Sequence, residues 1–389
     1  MTVHPSGRAR ILAPRASVPR LTRRGFLAGM AVVAGGAAVS ACGGSREIAP
    51  SAPLTDTIED RLNYYSWGDY ENPENLEAIQ EEYGFTMQID AYASNEEMIA
   101  KLAAARGTSG YDVVVPTGIF LPQMIQHNLL EPLDLSRIPN LSNLMPQFTD
   151  TEWDPGNRYA VCKSWGTTGY LYDVTALPQE LNSWGDFVSA ATGPANGRVS
   201  ILGDPAEVCS IASGALGFDM NTNDPNELEQ MRSLLVNDLA GTVRGYNSNI
   251  TTVVAGGGFT LLQAWNGDAR VALENEDDPD KWRFVFPAPT ANLWVDHFAL
   301  VRGTQHPGAA HAFMNAMLDV ETSYNEMTYI GYQTGVAGLE ERGRADDLPF
   351  ADILFPPEEV LNRLTSAEID DATQTRTEIL NEMQARSAQ

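Results

Sequence analysis

Between residues 62 and 115 the chain alternates apolar runs with capped amphipathic stretches, and this alternation restricts the fold to an α/β sheet with parallel strands. Residues 62–66 predict a first strand. Asn72 followed by Pro73 opens a helix, since proline's missing N–H costs nothing in a first turn, and Gly84 closes it. Residues 85–92 predict a second strand. Ser94 and Glu97 form a capping box, and the helix behind them runs to Gly107. Residues 111–115 are apolar throughout, as a strand covered on both faces must be. The result is βαβαβ, a doubly wound beginning.

The same grammar returns later. Asp224-Pro225-Asn226-Glu227 caps a helix reaching about Leu239. Residues 259–265 and 294–301 predict strands, and residues 306–319 and 367–386 predict helices. Residues 192–197 and 256–258 read as turns. The triple glycine lacks the Lys-Ser/Thr of a phosphate loop. No internal repeat is visible.

The N-terminus carries a different signal. Residues 1–41 hold Arg8, Arg10, Arg15, Arg20, Arg23 and Arg24 and no Asp or Glu, and a short Gly-interrupted apolar run follows. This is the pattern of an export signal rather than a membrane span. Thr22-Arg23-Arg24-Gly25-Phe26-Leu27 resembles a twin-arginine (Tat) motif, and Val39-Ser40-Ala41-Cys42 resembles a lipobox with Cys42 as the lipidated residue. A general export signal with a chance arginine pair is the alternative. Residues 42–57, rich in Gly, Ser and Pro, read as a flexible lipid-anchored tether. The chain is thus expected on the outer face of the cell membrane, or in the periplasmic space.

Of 25 Lys and Arg, six lie in that signal, so the rest of the chain sets 19 basic against 51 acidic side chains, a formal charge of −32. Such a surface repels nucleic acid and anionic lipid, favours a cationic ligand, and also serves solubility. About 350 residues remain after the signal, too many for one ordinary domain and suited to two lobes. Cys162 and Cys209 remain besides Cys42; whether they pair is open. No metal-ligand spacing occurs.

In open α/β sheets ligands sit beyond the carboxyl ends of the strands. There stand Trp67-Gly68-Asp69-Tyr70, Pro116-Thr117-Gly118, Gly203-Asp204-Pro205-Ala206-Glu207 and Trp265-Asn266-Gly267-Asp268, and the next strand starts with Trp294-Val295-Asp296. Aromatic residues and carboxylates recur together. The tryptophans also suit a core, and Asp204 with Glu207 also suits a helix cap. Asp296, inside an apolar strand with no Lys or Arg beside it, needs a partner.

These segments, with Tyr92-Ala93-Ser94-Asn95-Glu96-Glu97-Met98, Tyr111-Asp112-Val113-Val114-Val115-Pro116 and the stretch around Trp165-Gly166-Thr167-Thr168, resemble the spermidine/putrescine-binding proteins of bacterial polyamine ABC importers, a branch of the extracellular solute-binding proteins. The resemblance covers residues 62 to about 338. It implies a type II periplasmic-binding-protein fold: two α/β lobes joined by crossover strands and closing on the ligand. Lobe 1 would be residues 58–165 with 295–339, and lobe 2 residues 166–294 with 340–389. It implies ligand contacts from Trp67, Asp69, Tyr70, Thr117, Asp204, Glu207, Ser248, Trp265, Trp294 and Asp296. The chain departs from the family at Gly68 (a hydroxyl residue elsewhere), Asp69 (often Glu), Thr117 (serine) and Ile119 (tyrosine), and a late glutamine has no counterpart.

The chemistry agrees. A polyamine is an apolar chain bearing separated ammonium groups: each charge needs a carboxylate, and the methylenes suit aromatic faces, which attract cations by about 0.5–2 kcal/mol each. The expected partners are a polyamine and the permease and ATPase of an importer, with the chain a monomer and without cofactor or metal. No G-x-S-x-G, H-E-x-x-H or P-loop occurs, and Asp296-His297, adjacent in a strand, point to opposite faces, so an enzyme is not expected. The rivals are the same fold serving another cationic or small organic solute, and a polyamine sensor without an importer.

Overall fold

The computed structural model describes residues 48–388. The export signal, the arginine pair and Cys42 lie outside them. Elements are labelled in chain order.

Strand β1 (Arg61–Trp67) lies parallel between β2 (Thr86–Tyr92) and β3 (Val113–Val114). Helix α1 (Pro73–Tyr83) starts where the Asn72 side chain accepts from the Glu74 N–H and stops at Gly84, whose φ of 75° only glycine adopts freely. Helix α2 (Asn95–Ala105) starts at the expected cap: Ser94 Oγ accepts from Glu97 N–H, and the Glu97 carboxylate accepts from the N–H of Ala93, one residue before the cap. β3 is shorter than expected. The Val115 carbonyl accepts from Trp67 Nε1 and the Tyr92 hydroxyl, so side chains take over where the ladder stops.

The long strand β4 (Ala160–Asp173) is buried from end to end. It is followed by α3 (Trp184–Thr192), β5 (Val199–Ile201), α4 (Pro205–Leu216), α5 (Pro225–Arg232), β6 (Val243–Tyr246), α6 (Ile250–Gly256), β7 (Leu261–Trp265), α7 (Asn266–Glu274), β8 (Trp282–Val285) and β9 (Ala291–Leu300). Helices α8 (Pro307–Met317) and α9 (Val320–Ile330) then pack on the first half, and α10 (Thr373–Ser387) on the second. The π-helical turn Ser233–Leu239 continues α5 to the expected end.

The sheet runs β2-β1-β3-β9-β4-β7-β5-β6. The first half of β4 pairs antiparallel with β9, from Ala160 to Thr167, and the second half pairs with β7 and β8, from Thr168 to Asp173. One strand therefore belongs to both halves and changes neighbour between Thr167 and Thr168. Each half is a two-faced lobe. Tyr64, Val113 and Phe298 face α1 and α8, whereas Tyr65, Val114 and Ala299 face Met98 and Leu102 of α2. Beyond the switch, Val199 and Ile201 join the core of α3, α4 and α10, and Leu262 and Ala264 join that of α6 and α7. This is the two-lobed type II architecture.

Two stretches differ from the expected layout. Much of the proposed tether lies along lobe 1: Ala49 N–H donates to Arg106 O at 3.0 Å, Ala52 N–H to Thr304 O at 2.8 Å, and Ser51 Oγ accepts from Gly303 N–H at 2.8 Å. Pro50 and Pro53 lower the entropy lost in ordering it. Residues 339–355 straddle the lobes, with Leu339, Leu354 and Phe355 in the lobe 1 core and Phe350 and Ile353 against that of lobe 2. Cys162, in β4, and Cys209, in α4, are separate buried thiols.

Candidate ligand-binding site

The neighbour change in β4 brings the chemistry together. Asp296 of β9 stands opposite Ser164, and Trp294 opposite Gly166; one step on, Thr168 stands opposite Trp265 of β7. Around them arrive the loops after β1, β3 and β5.

Asp296 is buried and held by hydroxyls. Its Oδ1 accepts from Thr117 Oγ1 at 2.7 Å and its Oδ2 from the Tyr70 hydroxyl at 2.9 Å. Asn95 Nδ2 donates to Thr117 Oγ1 at 3.1 Å, which leaves the threonine proton for Asp296. Ser164 Oγ lies 2.6 Å from the Tyr70 oxygen. Burial pushes the Asp296 carboxyl up to about 6; the two hydroxyls and, more weakly, the Lys163 ammonium oppose that rise.

Glu207 stands in the first turn of α4, which Gln263 ties to β7 by donating to the Glu207 carbonyl at 2.7 Å. Its Oε1 accepts from Trp265 Nε1 at 3.1 Å and from Asn292 Nδ2 at 2.9 Å, while Oε2 is buried without a partner. Burial, then the neighbouring Asp204, raises its carboxyl to about 7. Asp204 is indeed the helix cap, accepting from Ala206 and Glu207 N–H at 2.8 and 3.0 Å, and it is also exposed at the rim. Thr167 Oγ1 and Trp294 Nε1 are further buried polar atoms without partners, and the Thr168 hydroxyl, close to the Glu207 carboxylate, helps to oppose the rise of its pKa. Such orphans are rare in a finished core, and each has hydrogen-bonding capacity left for a further partner.

The aromatic walls are linked. The Trp294 and Tyr332 rings meet edge-on with centroids 4.8 Å apart, and Tyr332 meets Tyr70 at 6.1 Å. The Tyr332 hydroxyl accepts from Asp268 N–H at 3.2 Å, and burial raises the Asp268 carboxyl to about 7. Tyr332 and Asp268 are absent from the expected contacts. Asp268 repeats the signal of a carboxylate just after a strand-end tryptophan; Tyr332 carries only the turn signal of Gly331, and tertiary folding delivers it.

The remaining expected residues are less central. Trp67 is half-buried, with its ring centroid 4.7 Å from that of Tyr92 and its N–H on Val115 O. Asp69 is exposed in the left-handed region, φ 55°. Ser248 is exposed in the loop after β6 and is not drawn into this network. Ile119 lies in the short turn Gly118–Phe120. His297 is buried on the opposite face from Asp296, edge-on to Trp153 at 6.0 Å, and burial lowers it to about 4.

Among the described residues, no Lys or Arg forms an ion pair with Asp204, Glu207, Asp268 or Asp296; the nearby Lys163 is engaged by Glu326 at 3.0 Å and Glu71 at 3.8 Å. Carboxylates lacking a resident cation, with Glu207 and Asp296 buried and aromatic faces nearby, are suited to a cationic guest.

Comparison with known proteins agrees. The family model of the bacterial extracellular solute-binding protein matches residues 75–347. The chain is 28% identical over 353 residues to spermidine/putrescine-binding periplasmic protein 1 of Haemophilus influenzae, covering 90% of this chain and 96% of that one. It is 31% identical over 306 residues to the putrescine/agmatine-binding protein of Pseudomonas aeruginosa, covering 74% and 81%. The crystal structure of the spermidine/putrescine ABC transporter substrate-binding protein PotD from Streptococcus pneumoniae superposes with a TM-score of 0.71 at 26% identity, over 85% of this chain and all of that one. Proteins of this kind bind solutes outside the cytoplasm and are not enzymes. By sequence and by fold, the chain belongs to the bacterial extracellular solute-binding proteins.

Proposed function

We propose that this protein captures a small polyamine, putrescine or spermidine, between its lobes and hands it to the permease and ATPase of an ABC importer. The observation that carries the reading is the buried Glu207 carboxylate, hydrogen-bonded through one oxygen and orphaned at the other, with Asp268 and Asp296 beside the Trp294–Tyr332–Tyr70 wall. One ammonium group would sit at Glu207 and Asp204, another at Asp296 and Asp268, and the methylenes between Trp265 and Trp294. Relatives named for putrescine, agmatine and spermidine support the class of ligand. Closure would be driven by contacts available only when both lobes meet the ligand. The lipobox cysteine Cys42 and the arginine pair support export as a lipid-anchored protein.

Titration calorimetry of residues 43–389 with putrescine and with spermidine tests this. The expected result is 1:1 binding that Asp296→Asn and Glu207→Gln weaken strongly. No heat and no thermal shift with either polyamine at millimolar concentration would overturn it and favour another cationic solute on the same fold.

A further inference from the structure

Strand β4 contains one residue too many. Cys162 pairs with His297 and Ser164 with Asp296, so two steps on β4 answer one step on β9, and Lys163 is the extra residue of a β-bulge. Bulges re-aim side chains. Here the re-aimed side chain is a fully buried lysine inside lobe 1. Its ammonium donates to the Tyr70 carbonyl at 2.8 Å and to Glu326 at 3.0 Å, lies 3.8 Å from Glu71, and sits 4.1 Å from the centroid of the Tyr70 ring. Both carboxylates belong to the same assembly. Glu71 follows Tyr70 and accepts from the Tyr64 hydroxyl and Ser66 Oγ at 2.6 Å; Glu326, from α9, accepts from Asn72 N–H at 3.0 Å and Asn75 Nδ2 at 3.1 Å. The loop 67–72 that leaves β1 is therefore fastened underneath by one cation and two anions, while its upper side presents Asp69 and the Tyr70 hydroxyl.

We infer that Lys163, through Glu71 and Glu326, is the positioning residue of the ligand-binding loop: it fixes Tyr70 so that its hydroxyl holds Asp296 and its ring lines the wall. This rests on the reading of the site as a polyamine site. Hydrophobic packing alone would hold such a loop more cheaply. A buried ion cluster stabilises little over apolar side chains of the same shape, but it fixes one arrangement and penalises others, because a charge moved out of register is left unpaired. The bulge also ties that arrangement to the strand that joins the lobes, so the loop's geometry and the crossover strand's register are set together.

Lys163→Met leaves two buried carboxylates unpaired and can unfold the chain, so the decisive variant is Lys163→Met with Glu71→Gln and Glu326→Gln, which removes all three charges. Two readouts are taken. In the ligand-free protein, amide hydrogen exchange in residues 67–72 should rise in the triple variant while that of β2 and β7 stays unchanged. With putrescine, the triple variant should bind at least about tenfold more weakly than the native chain, and in a Tyr70→Phe background the same three substitutions should have little further effect, since residues acting through one another are non-additive. Unchanged exchange in 67–72, or a loss of affinity that simply adds to that of Tyr70→Phe, overturns the inference. Absence of binding by the native chain of both putrescine and spermidine would instead overturn the functional reading, and the exchange result would still decide the role of Lys163.

Discussion

The Trp294 indole fills the space that a side chain at Gly166 would take: a Cβ there would stand 2.4 Å from Trp294 Cζ2 and 2.7 Å from Asn266 Oδ1. The missing side chain is what lets an indole occupy the point where β4 changes partners. Gly166→Ala should therefore displace Trp294. Overpacking typically costs about 1–3 kcal/mol, so a lower melting temperature is expected together with weaker ligand binding. A thermal melt and a calorimetric titration check both. A variant that binds and melts like the native chain would show that the ring relaxes freely.

Tyr70→Phe removes one of the two hydroxyls on Asp296 and keeps the ring. A hydrogen bond to a charged group contributes about 1.5–3 kcal/mol, so affinity for a diamine should fall by roughly ten- to a hundredfold. Below about pH 6, where Asp296 is protonated, the melting temperature of the free protein should change little. Calorimetry of the variant at pH 8, where the carboxyl is ionised, gives the cleanest comparison.

Binding should be linked to protons. Burial raises Glu207 and Asp268 to about 7 and Asp296 to about 6, above the roughly 4 of unfolded carboxylates. A group raised on folding stabilises the native state below its unfolded value and loses that contribution as pH climbs through its folded value. The free protein should accordingly lose stability between about pH 4 and 7 on account of these groups. A cationic ligand needs them ionised, so its affinity should rise over about pH 5 to 8 and protons should be released on binding. Calorimetry in buffers of different ionisation enthalpy measures that release; a buffer-independent heat would refute the linkage.

Asp268→Asn should separate stability from function. The carboxyl is raised by burial, and the hydrogen bond of the Tyr332 hydroxyl opposes that rise. Removing its charge should leave the melting temperature at pH 8 equal or higher while diamine affinity drops by at least about tenfold, as for a lost charge-assisted contact. A parallel fall in both would mean that Asp268 is structural.

What the sequence discloses divides by range. Caps are local, so Asn72, Ser94 and Asp204 announce their helices within a few residues, and the strand ends follow from them. Asp296 is legible because a carboxylate in an apolar strand has few dull explanations. Tyr332 is not, because nothing near it in the chain hints that the turn after α9 will deliver a ring against Trp294. The same holds for Lys163. Its neighbours do not reveal a bulge, and its partners Glu71 and Glu326 come from distant segments. Ser248 is the opposite case: the match in residue type is local, and the loop that carries it is exposed.

The strap from Ala49 to Thr57 has a mechanical consequence. Because Ala49 and Ala52 are bonded to Arg106 and Thr304, a pull on the N-terminal side of the chain loads the rim of lobe 1 and not the strands that join the lobes. Force entering there is spread over the edge of lobe 1 before any of it reaches β4.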